Sequence, residues 1–407
     1  MHPKDLQIKD FTYSLPDERI AKYPLASRDQ SKLLIYKEKE IHKSVYQHIA
    51  NEIPEKSLLL FNNTKVVEAR ILFQKTSGAT IEIFCLEPDD RYPDITKAMI
   101  QKGKVFWKCL VGGAKKWKEL QIFKTVLLGE KTIILSAERK EQIHDYYLIE
   151  FNWDDTNLSF AEILHSAGLI PLPPYLNRHA EASDADRYQT IYAKYDGSVA
   201  APTAGLHFTE TVFKQLDAKY IERAYLTLHV GAGTFKPVKA EKIEGHEMHA
   251  EYIEVSEALI GKIIAHLDHP IIPVGTTSMR TIESLYWLGV KTILNSNIAL
   301  SELVINQWDP YELDAAGITT STALNALISW MKKNEIELLI TKTQIIIAPG
   351  YTFKIAKALI TNFHQPQSTL LLLVSALIGD EWKRVYKYAM QNDFRFLSYG
   401  DGCLLWI

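Results

Sequence analysis

The sequence predicts a mixed α/β fold: an α/β domain on a mixed sheet, with a small β-barrel domain inserted into it. Two observations predict it. From about residue 70 to residue 158 the chain reads as short strands separated by turn and charge clusters, with no convincing 3.6-residue apolar period, which suits a small barrel or sandwich. Both flanks instead alternate buried strands with helices, which favours a parallel or mixed sheet whose ligands bind at the strand ends. The expected domains are therefore 1–69 joined to 159–407, discontinuous and catalytic, and 70–158, inserted. A chain of 407 residues is long enough for two cores.

The elements follow in order. ATIEIFCL (79–86), KVFWKCLV (104–111), TIILSA (132–137) and YYLIEF (146–151) supply the barrel strands. TETVFKQLDAKY (209–220) reads as a helix after a Thr209 cap, and AYLTLHV (224–230) as a buried strand. PIIPVG (270–275) is a second buried strand, followed by the helix SMRTIESLYWLG (278–289) with Thr and Ser at hand for its cap. STLLLLVSALIG (368–379) opens on Ser368 and stops at Gly379.

Composition narrows the function classes. The net charge is −3, from 46 basic and 49 acidic residues, so any nucleic-acid surface has to be local. Three cysteines, Cys85, Cys109 and Cys403, form no CxxC pair, which argues against a disulfide framework or a cysteine zinc site. The opening MHPKDLQIKDF lacks an apolar signal core, and the longest apolar run, near 370–378, is far short of the roughly 20 residues a bilayer requires. A soluble, cytoplasmic chain is expected.

Four stretches combine small residues, polar residues and histidine in ways a core does not need. In AAPTAGLHFTE (200–210), Pro202, Thr203 and Gly205 shape a loop and His207 sits just before a helix start. The positive end of that helix disfavours an imidazolium, so His207 is a candidate base near pH 7; a loop hydrogen bond is the competing reading. In LHVGAGTF (228–235), Gly231 and Gly233 supply GxG without the third glycine of a dinucleotide fingerprint, and Pro237 stands where the helix would begin. What remains is a tight turn, or a backbone open to close approach by a ligand, between His229 and Thr234. GHEMHAEY (245–252) spaces His246 and His249 three apart, not the four of a metalloprotease motif, so a metal site would need a ligand from elsewhere. VGTTSMRTIES (274–284) gathers Thr276, Thr277 and Arg280 at a helix start, which suits a carboxylate, and TNFHQPQSTL (361–370) brings Asn362 and His364 to another. Taken singly, these last two also read as ordinary caps.

One basic stretch stands out. QKGKVFWKCLVGGAKKWKEL (101–120) carries Lys102, Lys104, Lys108, Lys115, Lys116 and Lys118 against Glu119, with Phe106, Trp107 and Trp117 between them. Lysines neutralise phosphates and aromatics stack on bases, so this suits an RNA-facing surface; a solvated strand face with two core tryptophans fits equally well.

Read together and in order, the motifs resemble the S-adenosylmethionine:tRNA ribosyltransferase-isomerase family of queuosine biosynthesis. The matching stretches run from FTYSLPDERIAKYP, RDQSKLL and LLLFNNTKVVEAR through GLIPLPPY, DRYQTIYA, APTAGLHFTE, LHVGAGTFKPV and HEMHAEY. They end with VGTTSMRTIES, APGYTFKIAKALITNFHQPQSTLLLLVSALIG and SYGDG, spanning about residues 11 to 402. Two departures stand out. The chain is longer than the family pattern between Glu283 and Pro349, including NQWDPYELDAAGITTSTALN, and Gln365 stands where an aliphatic residue commonly precedes the proline.

The resemblance implies an α/β domain with an inserted barrel. It implies transfer and isomerisation of the ribosyl part of S-adenosylmethionine onto a 7-aminomethyl-7-deazaguanine at the wobble position of a tRNA with a GUN-type anticodon. The products would be epoxyqueuosine-tRNA, adenine and methionine. No metal or cofactor is implied beyond S-adenosylmethionine as co-substrate, and a monomer is expected. In this scheme His207 is the base, with His229 and His364 as competitors. Thr276, Thr277 and Arg280 hold the methionine carboxylate, and Gly231 and Gly233 admit the adenosine. Asn62, Thr64 and Arg70 border the domain junction, while Thr203, Gly205 and Asn362 complete the substrate site. Lys104, Lys115, Lys116 and Lys118 meet the tRNA. Another S-adenosylmethionine enzyme, such as a methyltransferase, and a non-catalytic RNA-binding protein are the alternatives.

Overall fold

The computed structural model describes residues 2–143, 146–231, 240–313 and 315–407. Nine strands form one mixed sheet in the order Leu338–Thr343, Glu251–Ser256, Glu222–His229, Leu58–Asn62, Ile271–Val274, Ala358–Asn362, Gly402–Trp406, Lys32–Lys37 and Glu40–Val45. The run from Glu222–His229 to Ala358–Asn362 is parallel throughout. Three of its four strands are buried along their whole length, as parallel strands covered on both faces must be. Side chains alternate between two cores: Leu58 and Leu60 pack under helix Thr276–Leu294, while Leu59 and Phe61 pack against Phe208, Val212 and Leu216 on the other face.

The expected helices form. Thr209 Oγ1 caps Glu210–Ala218 by accepting from the Val212 amide, and Ser368 Oγ does the same for Thr369–Ile378 from Leu371. One boundary differs. The helix expected over 278–289 spans Thr276–Leu294, and its first residue directly follows Gly275, which caps it without a side chain. Gly275 takes φ 90°, a conformation open to glycine, so strand passes straight into helix and no serine cap is needed. The Ser278 hydroxyl instead donates back to Val274 O at 2.9 Å.

A second, antiparallel sheet has seven strands in the order Gly168–Leu169, Arg70–Gln74, Thr80–Pro88, Lys104–Gly112, Tyr146–Trp153, Lys131–Ile143 and Gln121–Leu128. It encloses its own core, with Trp107, Trp117, Phe151 and Phe160 all buried. The sheet curls into a half-barrel: Lys124 Nζ of the last strand donates to Leu72 O near the first at 3.0 Å, and no ladder joins the two among the described residues. A short helix, Ile95–Met99, interrupts the strands. At five residues it is too brief to leave an apolar period in the sequence.

The long segment after Glu283 is folded, not loose. Helix Thr320–Lys333 packs on Thr276–Leu294 closely enough that a Cβ on Gly289 would lie 2.1 Å from Ala323 O. Strand Leu338–Thr343 then joins the nine-stranded sheet at its edge, pairing Glu251 with Thr343. Glu283 itself is buried and its carboxylate accepts from Tyr351 OH at 2.7 Å and from the amides of Lys354, Ile355 and Ala356 at 2.8–3.0 Å. Burial raises its pKa, and these donors offset only part of the rise.

Candidate active site

The carboxyl ends of the parallel strands open into one large cavity, the position at which open α/β sheets bind ligands. The cavity and its open mouth together span roughly 1490 Å³. Its walls are the turn 200–204, the helix start 275–280, the run 345–347, the loop 361–370 and the segment 246–251. Thr203, Thr276, Thr277, Arg280, Asn362 and His364 all line it, so six residues picked from the sequence converge.

Arg280 is the centre of its charge. Its Nη1 donates to Glu251, both side chains being more than nine-tenths buried, and its Nε donates to Ile345 O at 3.2 Å. Its Nη2 is buried without a partner. A guanidinium nitrogen so placed is a donor waiting for an acceptor, and a ligand carboxylate would fit it.

A hydrogen-bonded chain lies beside it. The Thr203 hydroxyl donates to Asn362 Oδ1 at 2.8 Å, and Asn362 Nδ2 donates to His207 Nε2 at 3.2 Å. The imidazole of His207 stacks on Tyr46 with 4.2 Å between ring centroids. His207 is thus one layer behind the wall and does not line the cavity. Its pKa falls to about 3, chiefly through burial, with the charges of Arg395 and Arg28 adding to the fall. The ring is neutral as expected, and burial is the largest cause. Of the three histidines proposed as base, only His364 faces the cavity. Its Nε2 meets the Thr361 hydroxyl at 2.9 Å, and burial lowers its pKa to about 3.

His229 points elsewhere. Its Nε2 meets Glu254 at 3.1 Å and its Nδ1 meets the Thr64 hydroxyl at 3.4 Å, while its neighbour Val230 borders the cavity. Successive residues of an extended segment face opposite ways, so the two cannot share a site. Asn62 works as a staple: Nδ2 donates to Leu228 O at 3.0 Å, and Oδ1 accepts from the Leu228 and Thr64 amides at 3.1 Å. Through Thr277 Oγ1, 3.4 Å from its Nδ2, it touches the cavity wall from behind. Arg70 belongs to the curled sheet, paired with Glu82 at 3.3 Å and stacked over Phe84. Gly205 is required by packing, since a Cβ there would meet the Tyr192 hydroxyl at 1.8 Å. Among the described residues nothing lies within 4 Å of where a Cβ on Gly231 would be; Gly233 and Thr234 lie outside them.

Sequence reasoning missed part of the wall. His246, His249 and Glu251 of GHEMHAEY border the cavity, and the sequence weighed that stretch only as a metal site. No cluster of three ligating side chains gathers among the described residues. Burial, then the charge of His249, lowers the pKa of His246. The signal for Glu251 was present: a buried arginine needs a carboxylate, and HAEY offers one.

The basic stretch does not form one patch. Lys104 and Gly112 are the ends of one nine-residue strand, roughly 26 Å apart at about 3.3 Å rise per residue, and Lys115, Lys116 and Lys118 follow only after the turn beyond Gly112. Lys108 is buried and spent on Glu87 and Asp90, both at 3.1 Å, and Lys104 stands 3.9 Å from Glu150. Trp107 and Trp117 are core residues, so the interleaved tryptophans stack on no base. Lys115, Lys116 and Lys118 remain exposed and form no ion pair among the described residues.

Comparison with known proteins adds to this geometry. The family model described as "Queuosine biosynthesis protein" matches residues 8–405. An S-adenosylmethionine:tRNA ribosyltransferase-isomerase of Halothermothrix orenii is 35% identical over 98% of this chain and 100% of its own length. One of Magnetococcus marinus is 32% identical over 98% of this chain and 94% of its own. A crystal structure of S-adenosylmethionine tRNA ribosyltransferase from Thermotoga maritima covers 97% of this chain and 99% of its own at 25% identity, with a TM-score of 0.45.

Proposed function

The chain belongs to the queuosine biosynthesis protein family, and from that premise we propose that it is an S-adenosylmethionine:tRNA ribosyltransferase-isomerase working in the strand-end cavity. It moves and isomerises the ribosyl group of S-adenosylmethionine onto the aminomethyl group of a 7-deazaguanine at the wobble position of a GUN-anticodon tRNA. Adenine and methionine leave, and S-adenosylmethionine is consumed with no further cofactor. The observation that carries the reading is the buried Arg280 Nη2 without a partner, at the end of four parallel strands.

The methionine carboxylate takes Nη2, next to the Thr276 and Thr277 hydroxyls. Glu251 balances the arginine and can accept from the α-ammonium. The sulfonium acidifies the ribose 5′ carbon, and His364, which lines the cavity, is our candidate to take that proton. Asn362 is oriented by His207 and Thr203, which makes His207 a positioning residue. In the same reading residues 70–158 are an inserted barrel domain, and Lys115, Lys116 and Lys118 at its tip meet the anticodon stem-loop. Lys104, at the other end of its strand and beside Glu150, is left out of that contact. The enzyme is a monomer in the cytoplasm; among the described residues no helix is long and apolar enough to cross a membrane.

The test is product analysis with S-adenosylmethionine and tRNA carrying the aminomethyl-deazaguanine. Adenine and methionine released with that tRNA, and not with unmodified tRNA, is the expected result. S-adenosylhomocysteine in their place would make the chain a methyltransferase.

A further inference from the structure

The segment between the long helix Thr276–Leu294 and Pro349 reaches the cavity from outside, and one of its side chains holds a cavity wall. Gln307 is 9% exposed. Its Nε2 donates to His246 O at 2.7 Å, and its Oε1 accepts from the Met248 amide at 2.8 Å. A side-chain amide paired in both directions with a backbone stands in for the strand partner that residues 246–248 lack among the described residues. Gln344 Nε2 adds a bond to Met248 O at 3.1 Å. Four residues from Gln307, the Tyr311 hydroxyl donates to Ile346 O and accepts from the Ala348 amide, both at 3.1 Å. Ile346 borders the same cavity from another side. An ion pair of Asp309 with Lys291 ties this short stretch to the long helix at 2.5 Å.

We propose that Gln307, with Tyr311 beside it, is a positioning residue that fixes the two walls flanking the Arg280–Glu251 pair, so that the added segment sets how the methionyl end of the substrate is held. The inference rests on the function proposed above. Residues 246–248 lead directly to His249 and Glu251, and the run 345–347 supplies the carbonyl that holds Arg280 Nε. Both walls beside that ion pair therefore take bonds from one stretch, 306–312, in addition to the pairing of Glu251 with Thr343. Without the glutamine amide, two part-buried backbone groups lose their partners and the wall is free to shift.

Gln307→Met keeps the side-chain length and removes both hydrogen bonds; Tyr311→Phe removes only a hydroxyl. The expected result is a rise of about tenfold in KM for S-adenosylmethionine with Gln307→Met and a smaller rise with Tyr311→Phe, with kcat within about twofold of wild type. A KM unchanged in both folded variants, or a loss confined to kcat, overturns the proposal. Should Gln307→Met fail to fold, Tyr311→Phe decides by the same KM-against-kcat split. A wild-type chain that releases no adenine from S-adenosylmethionine overturns the parent reading instead, which separates the two failures.

Discussion

The strand-end cavity and the lysine-bearing curled sheet are both polar, and they use polarity in opposite ways. In the cavity the polar side chains hold one another, Arg280 by Glu251 and Ile345 O, Asn362 by Thr203 and His207, His364 by Thr361, and leave Arg280 Nη2 over. Such groups are buried, fixed in direction and few. On the curled sheet the lysines that are fixed are already spent, Lys108 on two carboxylates, and those that are free are exposed. Preorganised donors suit the recognition of one small molecule and its developing charge. Loose exposed cations suit a polyanion, where counterion release supplies affinity without fixed geometry.

The comparison breaks most severely at Arg280. Arg280→Met removes the free donor and strands Glu251 as a buried lone carboxylate. We expect kcat/KM for S-adenosylmethionine to fall about a thousandfold, about 4 kcal/mol, with a marked loss of thermal stability as well. Adding Glu251→Gln should restore much of the stability and little of the activity. A single variant with near-normal kinetics would mean that Nη2 holds no substrate group.

Two buried rings give the cavity a pH signature that the lysine region lacks. His207 and His364 stay neutral in the folded chain down to about pH 3, whereas in the unfolded chain they protonate near the ordinary value of about 6.5. Between those values the unfolded state holds up to about two more protons at these rings, so they cost stability as pH falls through that window and nothing above it. Thermal melts from pH 7 to pH 4 should show the fall, and His207→Phe should reduce its slope. An unchanged slope in that variant would show that His207 takes its proton in the folded state.

Turnover separates the two histidines further. His207→Gln should lower kcat by about tenfold, because Asn362 loses its partner and not its place in the wall. A loss beyond a thousandfold would restore His207 as the base. The lysines should show the mildest effect and a different kind. Lys115→Glu with Lys116→Glu should weaken tRNA binding and flatten its salt dependence, while Lys104→Ala should leave both nearly unchanged. Equal effects from all three would mean that the RNA spans the whole strand.

Much of this was legible in the sequence because it follows from local rules. The switch from short strands to strand–helix alternation marked both sheets, and Thr209 and Ser368 announced their helices through a single side-chain oxygen each. Thr276, Thr277, Arg280, Asn362 and His364 could be picked because polar residues at strand ends serve few structural ends. Facing direction was not legible. His207, His229 and Asn62 sit in equally polar surroundings, and only the pleat and the stacking on Tyr46 turn them behind the wall. Gln307 could not be seen either, since its partners are backbone atoms about 60 residues away. Nor could the tryptophans of the basic stretch be assigned inward until the curl of the sheet closed over them.

The most direct measurement is a structure of the protein with S-adenosylmethionine bound. The account predicts the methionine carboxylate within about 3 Å of Arg280 Nη2, with the ribose 5′ carbon facing His364. A ligand bound with its carboxylate away from Arg280, or against His207 or His229 outside the cavity, would contradict it.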